Sequence, residues 1–246
     1  MERRRIIGFT LSLVLIAPLV VLVTGARSPE HNTVANDQKR KFDENRFPIA
    51  DFVAAEPSDP TERLKRDTRG KKYNKSDWRV HPDTAADSTV RVDSVDPNLP
   101  ALPFEKSSAV IVGQVTDAKA YLSTDKTGVY SVFTVQVNEV LKNSPKVPLT
   151  TASSIEAERD GGRVRFPNGR LHLYQINEQD MPGVGRRYVL FLTGGSDGRV
   201  FEIVTGYELR DGQVDPLDEL ANPRKYRGID EVTFMSELRK LVASHR

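Results

Sequence analysis

From Val129 to Leu141 apolar and polar residues alternate, with Phe133, Val135 and Val137 separated by Thr134, Gln136 and Asn138. A period of two is what a strand with one buried face requires, and a helix of 3.6 residues per turn cannot use it. Ala109, Val110, Ile111, Val112 and Val115 form an earlier β-rich run. Residues 188–192 and 200–204 read as a strand and its return across a glycine-rich turn at 194–198, and Asp160, Gly161 and Gly162 mark a further turn. Asp211 and Gly212 suit a tight hairpin that brings Leu209 toward Val214.

The hairpin around Asn168 and Gly169 can be paired residue by residue. A two-residue type I′ loop at those positions opposes Phe166 with Leu171 and Val164 with Leu173. The other face then carries Arg165 opposite His172 and Arg163 opposite Tyr174. The chain closes with a helix over about residues 229–244, capped by Asp230. Ile229 and Phe234 are placed as a hydrophobic staple, and Val232, Met235, Leu238, Leu241 and Val242 make an apolar stripe. Residues 104–246 are therefore expected to form one mostly β domain with a C-terminal α-helix. The even spacing of its strands favours a small barrel or sandwich over a parallel sheet.

Such a domain has to be held by its own core, because the chain contains no cysteine. Disulfides, thiolate metal sites and thiol catalysis are excluded with it. At the start, Arg3, Arg4 and Arg5 precede an apolar run at residues 6–23, followed by Thr24, Gly25 and Ala26. That order is the pattern of a targeting segment that sends the rest of the chain out of the cytoplasm. A helix over the run spans about 27 Å, close to the hydrocarbon thickness. Residues 1–26 thus serve either as a signal peptide cleaved after Ala26 or as an uncleaved signal anchor. An exported chain without cysteine fits a bacterial cell envelope better than a eukaryotic secretory route.

Residues 27–103 show no apolar period and carry fourteen basic and fourteen acidic residues. This reads as a disordered polar tether with a root-mean-square reach of about 45 Å if flexible. Arg63, Lys65, Arg66, Arg69, Lys71, Lys72, Lys75 and Arg79 crowd around only Asp67 and Asp77, with Trp78 beside them. The cluster is either a solvated run or a contact for anionic lipid or polymer.

Three stretches, in chain order, resemble a known family. Ser108-Ala109-Val110-Ile111-Val112-Gly113-Gln114-Val115 is similar to the opening strand of netrin-like, tissue-inhibitor-of-metalloproteinases-like OB-fold domains, here of bacterial exported type. Its glycine lets the strand bend. Thr134-Val135-Gln136-Val137-Asn138-Glu139-Val140-Leu141-Lys142 resembles the strand-then-lysine segment that follows. Gly185-Arg186-Arg187-Tyr188-Val189-Leu190-Phe191-Leu192 resembles a later strand. The resemblance implies a small OB-like β-barrel. It does not carry over the metalloproteinase-inhibiting wedge, whose mature N-terminal cysteine has no counterpart here, and a fold alone does not fix a function.

Candidate chemistry is sparse. Gly194-Gly195-Ser196-Asp197-Gly198 matches Gly-x-Ser-x-Gly, but a nucleophile elbow needs a strand-to-helix turn and here strands flank it, so it reads as a hairpin turn. His31, His81, His172 and His245 show no metal-ligand spacing. Glu156, Glu158 and Asp160, and Asp215, Asp218 and Glu219, are acidic clusters without the order of a calcium loop, and read as solvated surface. Arg163, Arg165, Arg170, His172 and Tyr174, with Arg159 nearby, are the candidate binding residues. Planar cations beside an aromatic suit an anionic polymer.

No catalytic constellation, metal or cofactor is expected. The expected function is a non-catalytic binding module of the cell envelope. Its domain faces outside the cytoplasm, held to the membrane by the N-terminal segment or released to the periplasm or medium. The expected partner is an envelope protein or an anionic polymer rather than nucleic acid, and the oligomeric state is left open. A hydrolase built on unpatterned carboxylates and a purely structural envelope component are the alternatives.

Overall fold

The structure is a computed structural model that describes residues 43–74, 87–92, 96–144, 147–194 and 200–245. All of them belong to one compact unit spanning residues 35–246. The expected targeting segment at residues 1–26, His31, His81, Trp78, Lys75 and Arg79 lie outside the described residues. Among the described residues no helix is long and apolar enough to cross a membrane.

The unit is mostly β with a C-terminal helix. Its main sheet joins β3 (Ala109–Leu122), β4 (Val129–Lys142), β5 (Ser154–Asp160), β8 (Arg187–Gly194) and β9 (Val200–Arg210). β3 runs antiparallel to both β4 and β8, β4 antiparallel to β5, and β5 parallel to β9. An antiparallel β8–β9 pairing returns the order to its start, so each of these strands has a neighbour on both sides. β10 (Gln213–Pro216) adds to β9 through the Asp211-Gly212 turn, where both residues have positive φ, and Val214 lies opposite Leu209 as expected.

β3 can pair on both edges because it bends. Its register against β4 shifts near Val110, Gly113 and Val115. At Gly113 a Cβ would lie 2.6 Å from Val135 Cγ1 and 3.0 Å from the Gln136 carbonyl oxygen, so only glycine admits this approach. One face of the five strands buries Ile111, Val115, Phe133, Val135, Tyr188, Leu190 and Phe201. The other face of β3, β8 and β9 buries Val110, Phe191 and Tyr207 against α3 (Glu231–Ser244).

Asp230 caps α3 as expected, its carboxylate accepting from the Thr233 amide at 2.9 Å. Ile229 and Phe234 share one cluster, and Met235, Leu238 and Val242 are buried. Val232 departs from the expected stripe and is 76% exposed. It precedes Phe234 by two residues, about 200° around the helix, and so faces solvent.

A second sheet, absent from the sequence expectation, has the order β1-β6-β7-β2. Its centre is the hairpin of β6 (Gly162–Arg165) and β7 (Leu171–Ile176). Its edges are β1 (Ile49–Asp51), parallel to β6, and β2 (Ser88–Val92), parallel to β7. Residues 43–74, 87–92 and 96–103, expected as tether, are therefore part of the folded unit. Phe47, Tyr73 and Leu99 are buried, and α1 (Pro60–Lys71), capped by Asp59, rests on the main sheet through ion pairs. An apolar count misses such a segment because it contributes only a few large side chains.

The β6–β7 hairpin corrects the expected pairing. The Phe166 amide bonds the Arg170 carbonyl and the Gly169 amide bonds the Phe166 carbonyl, each at 2.9 Å, leaving a three-residue loop. Pro167 favours the first central position of a type I turn, and Gly169, at φ 80°, takes the left-handed position that completes it. One more loop residue moves the register by one, so Val164 faces His172, Arg163 faces Leu173 and Arg165 faces Leu171. A slip of one reverses which side chains share a face.

Candidate functional site

That slip divides the residues expected to form one basic patch. His172 and Tyr174 turn inward and are 2% and 1% exposed, with His172 edge-on to Phe166. They are not available on the solvent face. Arg165 and Arg170 stay exposed, Arg165 reaching Asp51 at 3.4 Å. Arg159 is buried and paired: its Nη2 donates to both Asp218 oxygens at 2.7 and 2.8 Å, and its Nη1 donates to the Asp180 carbonyl at 2.6 Å. Of the expected set, Arg163 lines a cleft.

The cleft, about 460 Å³, opens between the 3-10 turn Glu44–Arg46 and the start of β8. Arg46, Phe47, Ala118, Arg163, Val184 and Arg186 line it. Asp43 begins the turn by accepting from the Asn45 amide at 3.0 Å, and Phe47, fully buried, fixes the chain that follows. The Arg46 side chain is thereby held inside the protein. Its Nη2 donates to Glu208 Oε2 at 2.5 Å. Its Nη1 donates no hydrogen bond, and the Asp180 carboxylate stands off at 3.7 Å. Burial alone would lower the Arg46 pKa, but Tyr188 and Glu208 more than offset that, so its guanidinium is held above the usual value.

Glu208, buried on β9, is the hinge of this arrangement. It also accepts from Arg186 Nη1 at 2.7 Å, and the Tyr188 hydroxyl approaches at 3.5 Å. Arg186, half-exposed, is thus fixed at the cleft wall. Arg163 donates through Nε to the Phe47 carbonyl at 2.8 Å, and among the described residues no carboxylate forms an ion pair with it. Its two terminal nitrogens suit a bidentate contact with a carboxylate or phosphate.

The acidic clusters expected on the surface are largely engaged. Asp218 is buried against Arg159, Glu158 is buried against Lys72 and Arg69, and Asp215 and Glu219 hold Arg227 at 3.2 and 2.5 Å. Glu158 and Asp218, which read as solvated, have basic partners far away in sequence, whereas Arg227 follows Asp215 and Glu219 by twelve and eight residues. Among the described residues no group of three or more His, Asp or Glu side chains is arranged to hold a metal ion. Gly194 ends β8, and the remainder of the Gly-x-Ser-x-Gly match lies outside the described residues.

Arg46, Arg186 and Glu208 were not among the expected site residues. The available signal was Glu208 inside the strand-like run Thr205-Gly206-Tyr207-Glu208-Leu209, since a carboxylate there must find a cation. No family model matches the chain, and no curated protein matches it either.

Proposed function

We propose that the chain is an extracytoplasmic, non-catalytic binding module in which an OB-like barrel presents an arginine-lined cleft to an anionic polymer. The observation that carries this reading is the Arg163 fork in the cleft, held through Nε by the Phe47 carbonyl with no ion-pair partner among the described residues, beside the half-exposed Arg186. The ring of strands with a bent β3 paired on both edges supports the OB-like reading, since that barrel is a five-stranded one. Its resemblance segments fall on β3, β4 and β8. Glu158, Glu208 and Asp218 each have an arginine or lysine partner, which favours binding over acid–base chemistry. The N-terminal segment would hold the module at the membrane or be removed after Ala26.

The test is calorimetric titration of the protein with a polyuronate and with inorganic polyphosphate. Arg163→Ala is expected to weaken the bound polyanion roughly 10- to 100-fold, the loss of a charge-assisted hydrogen-bonding group of about 1.5–3 kcal/mol. Arg163→Lys should recover only part of it, because a point charge lacks the fork. Unchanged affinity in Arg163→Ala, or no binding of either polymer by the wild type, removes the proposal. Mass spectrometry of the mature N-terminus separates a released chain, starting at Arg27, from an anchored one retaining Met1.

A further inference from the structure

A second surface lies beneath α1, on the main sheet. β5 and β9 run parallel there with Glu158 directly opposite Glu202, and Glu156 two residues back on the same strand. Like charges opposite one another on neighbouring strands are destabilising, so this face calls for a cation. α1 and the residue after it supply several. Lys72 Nζ bridges Glu158 Oε1 at 2.6 Å and Glu202 Oε1 at 2.5 Å, and Arg69 Nη2 bonds Glu156 Oε2 at 2.6 Å. Lys65 reaches Glu156 at 3.9 Å, and the Arg66 guanidinium lies 5.0 Å from the Tyr121 ring centroid.

The attachment is almost entirely polar. Gly70 is the only buried residue of α1, and Leu64 points into solvent. Tyr73, just beyond the helix, is the one aromatic anchor, stacked on Tyr130 with centroids 4.2 Å apart. Lys65, Lys72, Glu156 and Glu202 are all partly solvated, and exposed ion pairs hold weakly and are screened by salt. The fit is also loose at its deepest point. Arg69 Nε stands 3.5 Å from the buried Glu158 Oε2, longer than a good hydrogen bond, and the buried Tyr73 hydroxyl faces the same carboxylate.

We propose that the face formed by β4, β5 and β9 is a docking surface for a basic helix of a partner protein, and that α1 is the resident competitor which lifts to admit it. The partner carries lysine or arginine at positions i, i+4 and i+7, the spacing that puts them on one helical face as Lys65, Arg69 and Lys72 are. This surface is distinct from the arginine cleft and opposite to it in charge, so the two proposals stand or fall separately.

The probe is a fluorescent peptide with the sequence of residues 60–73, added to the full chain and followed by anisotropy. Arg69→Ala/Lys72→Ala removes the main ion pairs. Gly70→Val leaves every charge in place but puts a Cβ 2.9 Å from Thr124 Oγ1, prising the helix away. Hydrogen exchange checks that β3 and β4 stay protected while the α1 amides open. Both variants are expected to bind the peptide at least tenfold more tightly than the wild type. Adding Glu156→Gln and Glu158→Gln should abolish the gain. Opened α1 amides without tighter binding overturn the docking surface, and α1 amides that stay protected in both variants overturn the competitor.

Discussion

Asp218→Asn puts the buried charges to the hardest test. Asp218 and Arg159 are 0% and 2% exposed at the side chain, and one guanidinium nitrogen serves both carboxylate oxygens. Asparagine keeps the shape and one acceptor but removes the charge, leaving the arginine buried without a counter-ion. Breaking such a pair costs about 3–5 kcal/mol, and the retained acceptor places Asn at about 3. With a urea m-value of about 2 kcal/mol/M, the unfolding midpoint should fall by about 1.5 M. The melting temperature should fall by about 6–12 °C for a chain of this size. Arg159→Met/Asp218→Leu is the control, because replacing both partners with apolar groups is often neutral. It strands only the Asp180 carbonyl, which loses the Arg159 donor at about 1 kcal/mol, so the double variant should be more stable than Asp218→Asn alone. A midpoint for Asp218→Asn within about 0.5 M of wild type, with an unchanged m-value, would refute the reasoning.

Gly113→Val should lower the urea midpoint through overpacking of about 1–3 kcal/mol, since its Cβ meets Val135 and the Gln136 carbonyl; an unchanged midpoint would mean that β3 slides freely along β4. Burial pushes up the phenols of Tyr73, Tyr130, Tyr174, Tyr207 and Tyr226, that of Tyr174 to about 12. An acid with a raised folded pKa holds its proton longer folded than unfolded, so this stabilisation is full below about pH 10 and is lost as pH rises through the folded value. A phenolate absorbance titration should therefore show these five tyrosines largely silent at about pH 11 until the chain unfolds, and their reversible ionisation there with the fold intact would contradict this.

The strands of the main sheet are legible because their signals are local. Phe133, Val135 and Val137 alternate within one segment, and Asp211-Gly212 specifies its own turn. Asp230 and Thr233 cap α3 across three residues. What is not legible is set by distant partners. β1 has three residues and pairs with β6 more than 100 positions away, which leaves no periodic trace. α1 has no apolar stripe, and its position depends on Glu156 and Glu158 on another strand. At the candidate site a single proline decided the outcome. Pro167 lengthens the hairpin loop by one residue and moves His172 and Tyr174 indoors, although Asn168-Gly169 alone suits the shorter turn. Arg163 was legible as an exposed cation, but the cleft around it is completed by Arg46, from a stretch whose composition resembles a linker.

Both outer strands of the smaller sheet come from the chain ahead of Phe104, whereas the hairpin they flank is made from residue 162 onward. A chain synthesised from its N-terminus must carry those two early strands unmated until the hairpin arrives, and contacts so remote in sequence form late. Trimming the polypeptide to begin at Phe104 would strip β6 and β7 of their flanks. The uncovered backbone amides and carbonyls would then be offered to a second molecule, and the trimmed protein would tend to stick to itself.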